Sequence, residues 1–378
     1  MTKEKGIPQI RFSGFTDTWE QRKLGDTVQI TMGQSPDGST YSDVPSDYIL
    51  VQGNADLQNG WVSPRVWTSQ MTKKADAGDL IMSVRAPAGA MGKTAYNAVI
   101  GRGVAAIKGN EFIYQLLEKM DSDGYWKALS CGSTFESLNS DNIKNADVLI
   151  PDVAEQEKIG EYFLAIDRLI TLHQRKYDKL TKVKKAMLEK MFPKNGSLYP
   201  EIRFKGFTDA WEQRKLGDIA SDMVAGGDID KDLILAEGQY PVIANALTGD
   251  GIVGYYDKEY RVNAPAVTVT GRGDVGHAKA RLVNFTPVVR LLSVKSEHDV
   301  FFLENVINTL KIVIESTGVP QLTVPQLAKY EVAFPRQLDE EEHIGAFFKQ
   351  LDHLITLHQR KLEKLKNIKK ACLEKMFV

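Results

Sequence analysis

Cysteine and long apolar segments are both scarce in this sequence, and their scarcity narrows the class of protein. The 378 residues include 2 cysteines, Cys131 and Cys372, which lie far apart and outside any CxxC or Cys/His metal-binding spacing. Neither disulfides nor a structural zinc site is therefore expected. No apolar run approaches the roughly 18 residues that a membrane span needs, and the start MTKEKGIPQI lacks the apolar segment of a signal peptide. We expect a cytoplasmic protein without a membrane association.

Two sequence signatures of nucleic-acid enzymes are also missing. An amino-methyltransferase uses an NPPY-like tetrapeptide, and this sequence has no Pro-Pro pair. No Glu stands two residues before a Lys, so half of a common metal-dependent nuclease motif is absent. A GxGxxG pattern occurs at Gly271, Gly273 and Gly276, but too few residues separate it from Pro287 for a phosphate-binding helix. We interpret this pattern as a turn and expect no catalytic residues.

Neither sign of charge is in excess. The sequence has 48 Lys and Arg against 49 Asp and Glu, for a net charge of −1, whereas nucleic-acid binding usually leaves a basic footprint. Basic residues are concentrated locally, between Arg175 and the end of the segment 155–192. If the protein binds DNA, it is expected to do so locally or together with a basic partner.

Two stretches of the sequence occur twice in nearly identical form. IRFSGFTDTWEQRKLGD at residues 10–26 returns as IRFKGFTDAWEQRKLGD at residues 202–218. A second pair, residues 155–192 and 340–377, shares an unbroken LITLHQRK segment. Dissimilar inserts lie between the copies. This order predicts a pseudo-two-fold protein that carries two different surfaces on one repeated framework.

The second repeated pair has the periodicity of long amphipathic helices. Acidic residues come first, lysines come last and prolines stand just upstream, as the helix dipole and the start of a helix favour. Some 38 residues at ~1.5 Å each make a helix of roughly 57 Å. Because a two-fold relation places unlike inserts at opposite ends, we expect the two helices to pair in antiparallel orientation. The heptad a and d positions are Ile159, Phe163, Ile166, Ile170, His173, Tyr177, Leu180, Met187 and Met191 in the first copy, and Ile344, Phe348, Leu351, Ile355, His358, Leu362, Leu365, Cys372 and Met376 in the second.

One histidine interrupts each apolar seam midway, His173 in the first helix and His358 in the second. In an antiparallel pair with aligned centres the two would meet and fix the register, as a buried polar residue at an a position does. A metal-binding role is less favoured, because no second ligand type stands at helical spacing beside either histidine.

The inserts consist of short β-rich runs with Gly and Asn turns, which predicts mixed α/β globules. The predicted fold class is α+β: two α/β domains, separated by a pair of long antiparallel coiled-coil helices. The predicted boundaries are residues 1–150 for the first globular domain, 151–193 for a central helix, 194–334 for the second globular domain and 335–378 for a C-terminal helix.

The duplicated motifs resemble those of the DNA-specificity subunits of type I restriction-modification systems. The resemblance rests on the GF/W-x-x-x-x-LGD opening of both halves, the P-x-x-x-E-Q-x-x-I start of the first helix from Pro151 to Ile159, the helix ends that read LEKMF, and the two-repeat plan. It covers essentially the whole chain. The second helix departs from the pattern, with Glu341 in place of Gln156.

The resemblance implies a subunit without catalysis of its own. Its two target recognition domains would each read one half of a split double-stranded DNA sequence, held apart by the helix pair. It would dock two DNA adenine methyltransferase subunits and join a translocase and nuclease subunit. S-adenosylmethionine, ATP and Mg would be bound by those partners and not by this chain. The partners would then supply much of the phosphate contact, which accounts for the nearly neutral charge.

Candidate DNA-reading residues are chosen by type, because Gln, Asn and Arg reach base edges while Ser and Thr reach bases or phosphates. A fold-stabilising or solvated role is at least as consistent with each of them singly. The repeated tryptophans Trp19 and Trp211 are predicted to anchor the frame or a surface that docks a partner. The DNA-reading candidates are Gln52, Asn54, Arg65, Arg85, Lys93 and Thr134 in the first insert, and Asn245, Arg261, Arg272, Lys279, Arg281 and Gln321 in the second.

A non-DNA scaffold is the alternative function from another class. In that interpretation the coiled coil assembles partners and the two inserts bind other proteins. Retention of one split DNA sequence against excess random competitor would distinguish the two functions.

Overall fold

The computed structural model describes residues 6–130, 137–194, 196–313 and 321–378. The chain forms two compact units: residues 1–175 together with 360–378, and residues 176–359. We call them the first unit and the second unit. Each long helix is divided between the two. The predicted DNA-reading residue Thr134 lies outside the described residues.

The first half of the chain contains a β-rich insert and the first long helix. Its elements are β1 (Glu20–Lys23), α1 (Leu24–Thr27), β2 (Gln29–Met32), β3 (Tyr41–Ser42), β4 (Tyr48–Val51), β5 (Leu57–Gln58), β6 (Trp61–Val62), β7 (Val66–Thr68), β8 (Lys74–Ala75), β9 (Leu80–Ser83), β10 (Met91–Lys93), β11 (Ala98–Ile100), β12 (Val104–Lys108), α2 (Glu111–Ser122), α3 (Tyr125–Ser130), α4 (Ser140–Lys144), β13 (Asp147–Ile150) and α5 (Val153–Met191).

The second half repeats this order with a shorter insert. Its elements are β14 (Glu212–Lys215), α6 (Leu216–Ile219), β15 (Ala220–Ala225), β16 (Tyr240–Ile243), β17 (Ile252–Tyr256), β18 (Ala266–Thr270), β19 (Ala278–Arg281), β20 (Thr286–Pro287), β21 (Leu291–Ser296), α7 (Val300–Asn308), α8 (Val324–Ala328), β22 (Glu331–Phe334) and α9 (Leu338–Met376).

The same sheet core recurs in both units. In the first unit β2, β12, β9 and β10 are neighbours in that order within a six-stranded sheet, and in the second unit β15, β21, β18 and β19 form a four-stranded sheet in the equivalent order. The frame strands pair identically, β1 with β13 and β14 with β22, both antiparallel over four residue pairs. The mixed α+β class and the internal repeat are therefore confirmed.

Both long helices have 39 residues and begin two or three residues after the predicted starts. The shorter helices α2 and α7 begin at side-chain caps, where Asn110 accepts from the backbone N–H of Ile113 and Asp299 from that of Phe302. In the first unit the hydroxyl of Tyr162 lies 3.4 Å from the sulfur of Cys372. Asp167 lies about one turn after Tyr162 in α5, and it contacts Lys369, which lies about one turn before Cys372 in α9. The two helices therefore run antiparallel there, as predicted.

Each unit has an aromatic core beneath its frame. In the first unit Phe112 packs against Trp19 at 5.5 Å and against Phe377 at 5.2 Å between ring centroids. In the second unit Phe302 packs in the same way against Trp211 at 5.7 Å and Phe192 at 5.6 Å. Burial of such rings contributes roughly 1.5–3 kcal/mol each.

The first unit is closed by the end of the second helix, as the second unit is closed by the end of the first. The backbone N–H of Ile10 donates to the carbonyl of Lys375 at 2.9 Å, and that of Ile202 donates to Lys190 at the same distance. Each helix end therefore contacts an IRF motif through the same backbone hydrogen bond. Among the described helices, none combines the length and hydropathy of a transmembrane segment.

Candidate functional site

The frame of the first unit is held by one buried carboxylate. Glu155 is fully buried, and it accepts hydrogen bonds from Nε and Nη2 of Arg11 at 2.7 Å each. It also accepts a hydrogen bond from Nε1 of Trp19 at 3.2 Å. The hydrogen bond to Glu155 raises the pKa of Arg11. The repeated motif is thereby fixed to the first turn of α5.

The second frame reproduces the arginine pair but not the indole contact. Arg203 donates to Glu340 through Nε at 2.6 Å and Nη2 at 2.8 Å. Trp211 is 1% exposed, and its indole nitrogen has no hydrogen-bond partner among the described residues.

Both tryptophan rings are therefore covered. Trp19 is 3% exposed and Trp211 is 1% exposed. This burial favours the interpretation that both tryptophans anchor the frame. Neither ring is exposed enough to contact a partner directly. Docking of a partner on the surrounding frame stays a prediction.

The departure at the start of the second helix coincides with a different polar pair. In the first unit Nδ2 of Asn110 donates to the side chain of Gln156 at 2.9 Å. In the second unit the buried Glu341 contacts Nδ1 of His298 at 2.9 and 3.0 Å. Each unit thus connects the residues before α2 or α7 to its own long helix, through two amide side chains in the first unit and through an imidazole and a carboxyl group in the second.

Three of the predicted residues of the first insert gather around Asp56. This carboxylate is 2% exposed and accepts from the backbone N–H groups of Gln52 and Gly53 at 2.7 and 3.2 Å, and from Nε of Arg65 at 2.7 Å. Asn54 begins the single turn between these groups. Asp56 therefore holds together a loop from which the half-exposed Arg65 projects. The role of Asp56 was not predicted from the sequence, because no repeat or motif marks this residue.

Arg85 and Arg272 occupy equivalent and exposed positions. Each follows the central strand of its sheet, β9 or β18, and each forms a β-bridge, with Ser137 and Gln321 respectively. The two arginines are thus placed alike because each takes part in an equivalent backbone bridge. Both side chains are exposed at the surface.

Lys93 lies in the core of the first unit and not on its surface. It is 9% exposed, its ammonium contacts Glu111 at 2.8 Å, and it lies 4.1 Å from the ring centroid of Tyr114. The hydroxyl of Tyr114 donates to Glu118 at 2.7 Å. A cation paired in this way stabilises the fold, and Lys93 is not exposed for the DNA contact that was predicted from the sequence.

Asn245 also has an internal role in the structure. Its Nδ2 donates to the carbonyl of Val289 at 3.0 Å, and its Oδ1 accepts from the backbone N–H of Gly271 at 2.8 Å. Both ends of the amide are used to hold the loop after β16. Arg261, by contrast, is exposed, with Nη2 donating to the carbonyl of Asp228.

Lys279 and Arg281 line a cavity of the second unit, with a volume of about 420 Å³. Lys279 lies 3.8 Å from Asp250, and Nε of Arg281 donates to Oγ1 of Thr268 at 3.0 Å. Burial lowers the pKa of Arg281. The cavity also contains Glu304, which is 8% exposed and was not predicted from the sequence.

The glycine pattern at residues 271–276 forms the turn between the antiparallel strands β18 and β19, with positive φ at Gly273 and Gly276. The prediction of a turn is confirmed. Among the described residues, no three His, Cys, Asp or Glu side chains are grouped closely enough to hold a metal ion.

His173 and His358 are both half-buried, one in each unit. Their meeting at the centre of the helix pair stays a prediction. The structure instead provides an ion pair within each unit. Asp167 contacts Lys369 at 2.8 Å in the first unit, and Asp352 contacts Lys184 at 2.6 Å in the second. These residues occupy equivalent positions in the repeat, so the spacing of the repeat was the signal that could have revealed them.

The repeated frame and its two unlike inserts define an internally duplicated protein. A family model described as the type I restriction modification DNA specificity domain matches the chain twice, over residues 16–182 and 208–367. Because these matches cover most of its length, the chain belongs to the family of type I restriction-modification DNA specificity proteins.

Individual relatives agree with this assignment. The putative type I restriction enzyme MjaX specificity subunit of Methanocaldococcus jannaschii is 27% identical over 194 residues, and the match spans 49% of this chain but only 45% of that relative. The type I restriction enzyme MjaIX specificity subunit of the same organism is 22% identical over an alignment of 402 residues, which covers 95% of this chain and 92% of the relative.

A solved structure shares the fold over nearly the whole length. The crystal structure of the S subunit of a type I restriction-modification system from M. genitalium matches with a TM-score of 0.76 and 14% identity, covering 98% of this chain and 99% of that one. The likeness supports the two-unit architecture.

Proposed function

We propose that this chain is the sequence-specificity subunit of a type I restriction-modification complex, which recognises a split DNA target and has no catalytic activity of its own. The observation that carries the proposal is the occurrence of two specificity domains in one chain, on frames that are alike down to the register of their strands. The inserts on these frames differ, as two unlike half-sites require.

In the first unit, the DNA-reading surface we propose comprises the loop built on Asp56 and the exposed Arg85. Gln52, Asn54 and Arg65 belong to this loop. Arginine and amide side chains donate to base edges in the major groove, and each good bidentate contact provides ~1–3 kcal/mol of discrimination.

In the second unit, the proposed surface comprises Arg261, Arg272, Lys279 and Arg281, with Gln321 beside Arg272. Two of these cations, Lys279 and Arg281, stand where the equivalent hairpin of the first unit has Gly92 and Thr94. Unlike sets of donors on the same framework support the reading of unlike sequences.

We propose that two equivalent partners, the DNA adenine methyltransferase subunits, dock on the repeated helices and frames. Each copy of the LITLHQRK segment exposes two leucines, Leu169 and Leu172 at 44% and 45%, and Leu354 and Leu357 at 40% and 36%. Exposed apolar side chains repeated on a framework suit two copies of one partner. A translocase and nuclease subunit completes the assembly in the cytoplasm, where S-adenosylmethionine, ATP and Mg are bound by the partners.

The proposal is tested by mapping methylated adenines. The chain is expressed with its methyltransferase partner in a host that lacks adenine methylation, and the modified positions are read by long-read sequencing. One split sequence is expected throughout the genome, and the same sequence should be retained in a gel-shift assay against excess random DNA. Methylation without a common sequence, or none with an active methyltransferase, would support the scaffold alternative.

The assignment of one half-site to each unit is tested by matched variants. Arg85→Ala is expected to relax the first half-site only, and Arg272→Ala the second half-site only, with a loss of about tenfold in preference for a contacted base. Equal effects of both variants on both half-sites would contradict the assignment.

The docking surface is tested by Leu169→Glu and Leu354→Glu, because a charge on either leucine pair opposes apolar docking. Each single variant is expected to bind one methyltransferase subunit where the parent binds two, as measured by native mass spectrometry. The exposed Lys176→Glu is the control for an added negative charge on the helix surface. Unchanged stoichiometry in both leucine variants would exclude this surface.

A further inference from the structure

The two units differ in how the space beneath their central sheets is filled. In the first unit the space between β10 and α2 is filled by side chains. Tyr114 is 2% exposed and lies under the ammonium of Lys93, while Met91 is 8% exposed beside them. This region of the first unit is part of a closed hydrophobic core.

The repeat allows each of these residues to be matched with its counterpart in the second unit. Phe112 and Phe302 are equivalent, since both pack against the frame tryptophan and the terminal phenylalanine of a helix. Glu304 therefore stands where the first unit has Tyr114. The hairpins match as well, because Met91 pairs with Met82 and its counterpart Ala278 pairs with Val269.

Replacement of an aromatic ring by a carboxylate, and of a methionine by alanine, removes volume from the same place. The second unit accordingly contains the cavity of about 420 Å³, which Ala278 and Glu304 both line. Its size falls in the range of ~300–1,000 Å³ typical of pockets for small organic groups.

The cavity offers one acceptor and one donor that the fold uses only in part. The backbone N–H of Ala280 donates to the carboxylate of Glu304, which leaves further acceptor capacity on its two oxygens. Glu304 is more than nine-tenths buried, and among the described residues no side chain donates a hydrogen bond to its carboxylate; burial raises the pKa of Glu304. Arg281 uses Nε for Thr268, and its two terminal nitrogens have no hydrogen-bond partner among the described residues.

The two lysines that line the cavity are each close to a carboxylate. Lys184 contacts Asp352 at 2.6 Å and Lys279 lies 3.8 Å from Asp250. Asn308 holds the start of β19, with its amide bonded to both the N–H and the carbonyl of Ala278. Recognition therefore rests on Arg281 and Glu304.

We propose that this cavity binds an unpaired guanine base. Guanine carries acceptors at O6 and N7, which suit a guanidinium, and donors at N1 and the 2-amino group, which suit a carboxylate. One occupant would thus bind the remaining donors of Arg281 and the remaining acceptors of Glu304. The base can come from DNA, extruded from the second half-site, or from a free guanine nucleoside. The DNA source rests on the proposed function.

Base analogues test the DNA source. At each guanine of the second half-site, found by methylation mapping, inosine removes the 2-amino donor while leaving the major-groove edge unchanged, and 7-deazaguanine removes the N7 acceptor. Inosine at one of these positions is expected to weaken DNA binding about tenfold. Binding is measured with the complex of the chain and its methyltransferase partner. Glu304→Gln should abolish this difference, because an amide no longer favours the two donors of guanine.

A cavity-filling variant provides the second measurement. Glu304→Tyr combined with Ala278→Met introduces the residues of the first unit and should fold, since the same pair is packed there. Loss of preference at a single position of the second half-site, with the first half-site unaffected, is expected. Tyr114→Phe in the first unit is the matched control and should leave the second half-site unchanged.

Calorimetric titration of the full chain with guanosine, adenosine, cytidine and thymidine tests the free source. Saturable binding of guanosine alone, lost in the cavity-filling variant, supports the pocket with a free nucleoside as occupant. If inosine has no effect at any position and guanosine does not bind, the proposal is wrong even where a split target has been mapped. Absence of any common target would instead contradict the proposed function.

Discussion

At the scale of single residues, the frames depend on carboxylates that are removed from water. Glu155 and Glu340 are 0% and 1% exposed, and each is compensated by an arginine that approaches through two nitrogens. Bidentate pairs of this kind give geometric specificity in addition to binding energy. They fix the orientation of the repeated motif on the start of each helix.

Glu155→Gln is expected to destabilise the first unit by about 2–3 kcal/mol, because hydrogen bonds to a charged group are replaced by weaker ones. Glu340→Gln is the matched control and should cost less, since Glu340 has no indole contact. Denaturant unfolding followed by circular dichroism gives both values. A larger loss for Glu340→Gln would show that the indole contact adds nothing.

The buried carboxyl of Glu304 predicts a pH dependence of stability. Burial raises its pKa above the ordinary value of 4.5, so the folded state binds more protons and the free energy of unfolding falls as the pH rises from about 4.5 through the folded pKa. Glu304→Gln lacks this group. The melting temperature of the variant should therefore rise relative to the parent across this pH window, and a constant difference would contradict the prediction.

At the scale of secondary-structure elements, one ion pair links the long helices in each unit. Asp167 with Lys369 and Asp352 with Lys184 occupy equivalent positions. In the first unit Lys369 also contacts Glu118 of α2 at 2.7 Å, so the pair connects the insert to both helices. The register of the helices is thus set by charge as well as by the apolar seam.

A double-mutant cycle measures the contribution of this register contact. Lys184→Asp or Asp352→Lys alone places like charges together, whereas the double exchange restores an ion pair. Because the side chains are 25% and 35% exposed, a coupling free energy of about 0.5–1 kcal/mol is expected from denaturant unfolding. Additive effects of the two changes would exclude a stabilising interaction.

The repeats allowed much of the framework to be predicted, because identical segments must form identical elements. Helices expected at residues 151–193 and 335–378 are observed at Val153–Met191 and Leu338–Met376. The site was less accessible to sequence analysis. Whether a cation such as Lys93 is buried or exposed depends on Glu111, which is distant in sequence, and the cavity arises where the inserts share no motif.

At the scale of the whole molecule, recognition is expected to be modular. Replacing residues 219–330 by residues 27–146 exchanges the second insert for the first between identical LGD motifs and paired frame strands. The helix contacts should be preserved, because Glu118 of the transplanted insert would meet Lys184 where it now meets Lys369.

The chimera is expected to direct its methyltransferase partner to a target made of two copies of one half-site. Adenine mapping with the methyltransferase partner provides the measurement, and the parent chain is the control. Retention of the original second half-site would show that specificity does not reside in the insert.

The closing of each unit by a distant helix end has a consequence for biosynthesis. Phe377 fills the core around Trp19 and Phe112, yet it leaves the ribosome almost half a chain later than the rest of that unit. The amino-terminal module therefore cannot complete its core during translation until the carboxy-terminal helix has emerged. Truncation of the chain between residues 360 and 377 would consequently damage the module that is made first and leave the later one intact.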